Sequence, residues 1–432
     1  MDFDFSEEQI AFRKVVRDFA EREIAPHAEA WDRDHFFPVD TVRAMGELGL
    51  FGLIFPEEYG GAGADFTTLC LAIEEIARVD QSMAITLEAG VGLGANPIFQ
   101  FGSEEQKQRW LPDLVAGRTL GGFGLTEPGG GSDAGSTLTK AELDESTNEW
   151  VINGEKAFIT NSGSAMTSIV TVTARTGAAG PERPPERGSG PERPPEREGG
   201  PERPPERGSG PERPPERESG PERPPGRAAE ISAIVIPAGT PGLEVSPPYR
   251  KMGWHASDTH GLAFSDCRVP AENLLGERGC GFRQFLAILD EGRVAIAALA
   301  VGTIQACLDL SVAHAQNRYA FGRPIGTNQA IAFKCADLAV MCDNARLLTY
   351  RAAWLKDHGR PFKREAAIAK LYATEAAVTA TREATQIFGG YGFIDETPVA
   401  RFYRDSKILE IGEGTSEIQR LVISRDLGLP VT

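Results

Sequence analysis

Three long stretches almost free of helix breakers, residues 281–318, 328–357 and 362–388, constrain this chain most. Ala- and Leu-rich runs of that length outlast any ordinary strand and predict a helical bundle after about Gly276. Before them the period changes twice. From Ser6 the pattern is helical, with Ser6 and Gln9 at capping-box spacing and Phe12, Val15, Val16 and Phe19 at helical spacing. Leu69–Val79 carries its own apolar stripe, and Ser103 with Gln106 opens another helix. The middle reads as strands: Trp150–Thr160 as a hairpin about Asn153-Gly154, then Ile169–Thr173, Ile231–Ile236 and Gly261–Phe264. Blocks in the order α, β, α argue against a doubly wound sheet. They predict an α+β fold with an N-terminal helical domain (1–118), a middle β domain (119–275) and a C-terminal helical bundle (276–432).

One segment belongs to none of these blocks. From Pro181 the motif Pro-Glu-Arg-Pro-Pro recurs at 191, 201, 211 and 221 with Gly/Ser-rich joints. It has almost no apolar side chains to offset its ordering entropy, so residues 177–229 are expected to form a disordered or polyproline II excursion from the β domain. Loop-closure entropy grows only logarithmically, so the domain tolerates such an insert. A linker without a partner is favoured over a ligand for SH3-like or WW-like modules.

At 41% hydrophobic residues over 432 positions the chain can bury a large core. A net charge of −17 argues against a nucleic-acid or anionic-membrane role. Six cysteines without CxxC spacing fit reduced thiols. The acidic N-terminus is unlike a signal peptide, and no apolar run is read as reaching the roughly 18 residues of a membrane span. The expectation is a soluble cytoplasmic protein.

Chemistry concentrates in a few segments. In Ile411–Arg420 (IGEGTSEIQR) the carboxylate of Glu413 stands between Gly412 and Gly414, and Ser416 with Gln419 has capping-box spacing. Glycines permit unusual dihedrals and close ligand approach, and apolar surroundings would raise the carboxylate's pKa as proton abstraction from a carbon acid requires. The Gly122–Asp133 segment exposes backbone N–H groups and the hydroxyls of Thr126 and Ser132, which suits a cofactor. Its serine lacks the nucleophile-elbow spacing. Gly90–Ala95 nominally fits a dinucleotide fingerprint but lies in a helical region, where a helix-joining loop is the better reading. No metal is expected. On spacing alone three further groups are ambiguous, and each has an ordinary reading: Asp290 with Arg293 as an i, i+3 surface bridge, Arg318 as a helix C-terminal cation, and Gly389-Gly390 as a C-cap and turn.

In this order the segments GFGLTEPGGGSDAGS, NGEKAFITNSG, YRKMGWHASDT, RYAFGRPI, QIFGGYGF and IGEGTSEIQR resemble the acyl-CoA dehydrogenase family over nearly everything except residues 177–229. The resemblance implies a C-terminal four-helix bundle, a homotetramer and bound FAD. It implies that Phe123, Leu125, Thr126, Ser132, Phe158, Ile159 and Thr160 line the flavin, and that Thr415 and Glu417 also contact the cofactor. Arg318, Phe321, Gln329, Gln386, Ile387, Phe388, Gly389 and Gly390 would reach the FAD of a neighbouring subunit. Ser132, Asp290, Arg293 and Gly414 would contact the CoA thioester, and Glu413 matches the catalytic base. Some relatives carry the base on the long helix, at the position that is Gly292 here, and a glycine cannot serve.

The implied reaction is α,β-dehydrogenation of a short or branched acyl-CoA to a trans-2-enoyl-CoA, with an electron-transfer flavoprotein as acceptor. The alternatives are an acyl-CoA oxidase on the same fold and an interaction scaffold acting through the proline-rich repeat.

Overall fold

The computed structural model describes residues 4–177 and 230–431. The N-terminal block is helical: α1 (Glu7–Phe19), α2 (Ala28–Asp34), α3 (Val39–Glu47), α4 (Phe66–Ala77), α5 (Gln81–Glu88), α6 (Asn96–Phe101) and α7 (Glu104–Val115). Both N-terminal capping boxes form, Ser6 with Gln9 and Ser103 with Gln106. Residues 89–95 are not the expected loop. They form a wide helical turn that continues α5 into α6 and packs on the first strand.

The strands are β1 (Leu120–Gly124), β2 (Lys140–Asp144), β3 (Glu149–Thr160), β4 (Thr167–Arg175), β5 (Ile231–Pro237), β6 (Leu243–Val245), β7 (Thr259–Pro270) and β8 (Leu274–Leu275). Their order is β6-β7-β3-β2-β4-β5-β8, with β1 parallel to β4. The expected Asn153-Gly154 hairpin is absent, because β3 runs straight through those residues with register shifts at Ile152/Gly154 and Lys156/Ile159. Asn153 instead pairs across to Asp266 on β7. A Cβ on Gly154 would lie 2.7 Å from Thr139 Cα, so this glycine serves close packing at a bulge. The actual turn lies between β2 and β3, with Asn148 at φ 55°. At the edge of the gap Arg175 and Ile231 are register partners, and the Thr176 N–H donates to the Glu230 carbonyl at 2.8 Å. The chain therefore leaves and re-enters the sheet at paired positions. The Pro-Glu-Arg repeat lies outside the described residues.

The remaining elements are α8 (Gly281–Asn317), the short pair β9 (Tyr319–Ala320) and β10 (Arg323–Pro324), α9 (Gln329–Asp357), α10 (Lys363–Phe388), α11 (Pro398–Ser406) and α12 (Ser416–Asp426). The three long helices match the breaker-free stretches. α8 packs against α4, α9 and α10, so it is buried almost all round. It also corrects the expectation that no apolar run approaches a membrane span: with a mean hydropathy of 1.7 it is long and apolar enough, but 78% of that window is buried in the bundle. The buried Glu74 on α4 accepts from Arg346 at 2.9 Å, Tyr350 at 2.7 Å and Arg13 at 3.2 Å, joining α1, α4 and α9 through one carboxylate.

Candidate active site

Glu413 lies in the segment leading into α12. The unusual backbone expected of its flanking glycines falls on Glu413 itself, at φ 51°, and on Gly414, at φ 93°, while Gly412 keeps an ordinary conformation. A side-chain-bearing residue held there costs roughly 1–3 kcal/mol and persists only where its surroundings hold it. Those surroundings are hydrogen bonds to the Gly414 carbonyl, from Lys370 Nζ on α10 and Gln419 Nε2, both at 2.8 Å. Gln419 is thereby drawn inward, and the expected Ser416–Gln419 capping box does not form. The cap of α12 is Thr415, whose Oγ1 accepts from the Ile418 N–H.

Both Glu413 carboxylate oxygens are buried, and among the described residues no N–H or hydroxyl donates to either, the carboxyl of Glu88 being the side chain that faces them. Burial pushes its pKa up to about 7, against the hydrogen bond with the Glu88 carboxyl and then the pull of the Lys370 ammonium and the Arg293 guanidinium. Burial also drives Lys370 down to about 8. Gly292 on α8 supplies the space. A Cβ there would overlap Glu413 Oε2, so the glycine that cannot be a base is the notch admitting one. Asp290 and Arg293 do form an ion pair, but it is no surface bridge: Arg293 is 4% exposed and its charge acts on Glu413.

The Gly-rich segment after β1 is pinned from beneath. Glu127 accepts from Lys156 Nζ at 2.8 Å, the Leu138 N–H at 2.6 Å, the Thr139 N–H at 3.0 Å and the Thr139 hydroxyl at 2.7 Å, with the Thr137 hydroxyl also in contact. Although burial opposes ionisation, these donors hold its pKa down at about 2. Above this anchor Leu125 and Thr126 are half-exposed and Ser132 is exposed. Phe123 stacks on Phe285 of α8 with ring centroids 3.8 Å apart. Phe158 is turned out of β3 at φ 62°, 64% exposed, whereas Ile159 is buried in the sheet core and can offer a ligand only its main chain. Thr160 is half-exposed opposite Thr259.

A third group gathers at the far end of α8, roughly 38 Å along the helix from Gly292. His314, Arg318, Ile387, Phe388, Gly389, Gly390 and Tyr391 are among the residues lining a cavity of about 430 Å³. Arg318 is the C-cap residue of α8, with its guanidinium over the Tyr391 ring, and Gly389 caps α10 at φ 62°. Phe321 (99% exposed), Gln329 and Gln386 lie exposed outside this cavity, and Glu417 is exposed on the first turn of α12. Within one chain, then, Arg318 and its neighbours do not meet Glu413.

Two residues of the Glu413 pocket escaped the sequence reading. Lys370 sits at helical spacing with Ala366, Ala373 and Ala377, a lone cation on the Ala-rich buried face of α10. Glu88, 1% exposed, is the one charged residue between Asp80 and Glu104. A single charge inside so apolar a run was the available signal.

Family models described as the acyl-CoA dehydrogenase N-terminal, middle and C-terminal domains match residues 6–118, 122–188 and 279–428. The chain is 47% identical over 427 residues to "Probable acyl-CoA dehydrogenase YngJ" of Bacillus subtilis, covering 99% of this chain and 100% of that protein. It superimposes on butyryl-CoA dehydrogenase from Megasphaera elsdenii with a TM-score of 0.85 at 38% identity, covering 99% and 100% of the two chains. An acyl-CoA dehydrogenase from Bacillus anthracis, solved complexed with FAD, matches with a TM-score of 0.82 at 31% identity, over 99% of this chain and 69% of that one. The family is FAD-dependent. From the pinned Gly-rich loop to the donor-free carboxylate before α12, the chain belongs to the acyl-CoA dehydrogenase family, among its short-chain, butyryl-CoA dehydrogenase-like members.

Proposed function

We propose that this protein dehydrogenates a short or branched acyl-CoA to the trans-2-enoyl-CoA, with Glu413 as the base that takes the α proton. The observation that carries this is the Glu413 carboxylate, buried, with no N–H or hydroxyl donor among the described residues and with its pKa at about 7. At neutral pH such a group is partly ionised yet binds a proton far more strongly than an ordinary glutamate, the balance that general-base catalysis favours.

The residues present fit a flavin. Phe158 is an exposed aromatic held at φ 62°, beside half-exposed Thr126 and the exposed Ser132 hydroxyl. Strain of roughly 1–3 kcal/mol on an exposed phenylalanine is the kind retained at ligand sites. Phe123, Leu125, Thr126, Ser132, Phe158, the main chain of Ile159, and Thr160 would hold the ring system, with Thr415 and Glu417 beside it. FAD, when bound, accepts the β hydrogen as hydride. The chain's own part is positioning and proton transfer. The main-chain N–H of Glu413 would polarise the thioester carbonyl, making the α proton more acidic. Ser132, Asp290, Arg293 and Gly414 would orient the thioester.

The separation along α8 supports a cofactor shared between subunits, with Arg318, Phe321, Gln329 and the segment Gln386–Gly390 of one chain reaching the FAD of another. A homotetramer, an electron-transfer flavoprotein as acceptor and a cytoplasmic setting complete the reading. It is tested by anaerobic titration of the flavin band with saturated acyl-CoAs of graded length. Bleaching by butyryl- or isobutyryl-CoA with slow reoxidation in air is expected, and fast reoxidation would make the protein an oxidase.

A further inference from the structure

Glu88 ends α5, where the regular helix widens into the turn 89–95. Such wide turns recur at functional sites. Both its carboxylate oxygens are buried without a hydrogen-bond donor among the described residues, as are both oxygens of Glu413. The two side chains stand within hydrogen-bonding reach of one another. Each is accommodated by a missing Cβ: one on Gly92 would lie 3.0 Å from Glu88 Oε1, as one on Gly292 would overlap Glu413 Oε2. Two buried carboxylates that face each other and meet no N–H or hydroxyl donor are not both ionised. A proton must lie between them.

We infer that Glu88 is a positioning residue for the catalytic base, a protonated carboxylic acid that donates a hydrogen bond to the Glu413 carboxylate. This rests on the proposed role of Glu413. The charged groups around the pair are few: Lys370 from α10 and Arg293 from α8 face Glu413, with Asp290 beside Arg293 and Glu375 and Glu410 near Lys370, while Glu88 meets only Glu413 among the described residues. Both basic groups sit on the Glu413 side, so Glu413 takes the negative charge and Glu88 keeps the proton. Burial, and then the Glu413 charge, raise Glu88 well above the ordinary carboxylate range. The bond does two things. It fixes one oxygen of Glu413 and leaves the other for the α proton, and it stabilises the carboxylate, keeping the base ionised nearer neutral pH than burial alone would permit.

The test uses the FAD-loaded enzyme and follows the pH dependence of flavin bleaching by butyryl-CoA in wild type, Glu88→Leu and Glu88→Gln. Leucine removes the donor, so the acidic limb should move up by about one pH unit. Glutamine restores an N–H donor and should return the limb close to wild type. Slower bleaching in both variants with an unmoved limb would overturn the inference and reduce Glu88 to packing. So would wild-type behaviour in both. If no acyl-CoA bleaches the wild-type flavin, the proposed function fails. The resting protein then decides on its own through infrared spectroscopy, as it also does if the leucine variant does not fold. A protonated carboxylic acid band at neutral pH that is lost in Glu88→Gln supports the inference, and absence of that band from wild type contradicts it.

Discussion

Glu127 and Glu413 are both carboxylates taken out of water, and their surroundings differ in one respect. Glu127 receives donors from Lys156, Leu138, Thr137 and Thr139, whereas among the described residues no N–H or hydroxyl donates to the Glu413 carboxylate and only the carboxyl of Glu88 faces it. Burial raises both, but the donors around Glu127 reverse it, leaving one group at about 2 and the other at about 7. A satisfied carboxylate is part of the scaffold, here the anchor of the Gly-rich loop. An unsatisfied one keeps its affinity for a proton available for chemistry.

The sharpest way to break this contrast is Glu413→Gln. Flavin bleaching by acyl-CoA should fall by roughly 10³-fold, within the range for loss of a general base, while FAD content holds. The stability sign is opposite for the two sites. Glu413 binds its proton more tightly folded than unfolded, so it favours folding at low pH and weighs against it as pH rises from the ordinary carboxylate range through about 7. Glu413→Gln should therefore melt no lower than wild type above neutral pH, measured calorimetrically.

Next comes Lys156→Met, which leaves Glu127 as a buried charge without its cation and should cost roughly 3–5 kcal/mol in denaturant unfolding. The double variant with Glu127→Gln should recover most of that loss. In wild type the Glu127 contribution is present above the ordinary carboxylate range and is lost as pH falls toward about 2, which acid unfolding of both proteins would show.

Smaller is Gly292→Ala. In an exposed helix this change stabilises by roughly 1 kcal/mol. Here the added Cβ displaces Glu413 Oε2, so bleaching should slow by about 100-fold with little change in melting temperature. Equal loss of both would mean that the notch serves packing and not the base.

What could be read in advance followed how local its determinants were. The three long helices and the capping boxes at Ser6 and Ser103 need only neighbours in sequence, and they form as read. The same signature at Ser416 fails because the Gln419 side chain donates to the Gly414 carbonyl instead, beside Lys370 from a separate helix. Asn153-Gly154 has hairpin chemistry, yet Asp266 and Thr139, distant in sequence, make it a bulge. Glu413 was legible from its glycines and its motif. Its pKa was not, since that depends on Glu88, Arg293 and Lys370 arriving from three separate helices.

The central claim, that Glu413 is a base poised near neutrality, is tested most directly by single-turnover flavin bleaching with butyryl-CoA across pH, in wild type and Glu413→Gln. A base of that kind gives a wild-type rate that rises as pH increases through about 7 and a limb that disappears in the variant. A limb in the ordinary carboxylate range, or a variant that bleaches at the wild-type rate, would contradict it.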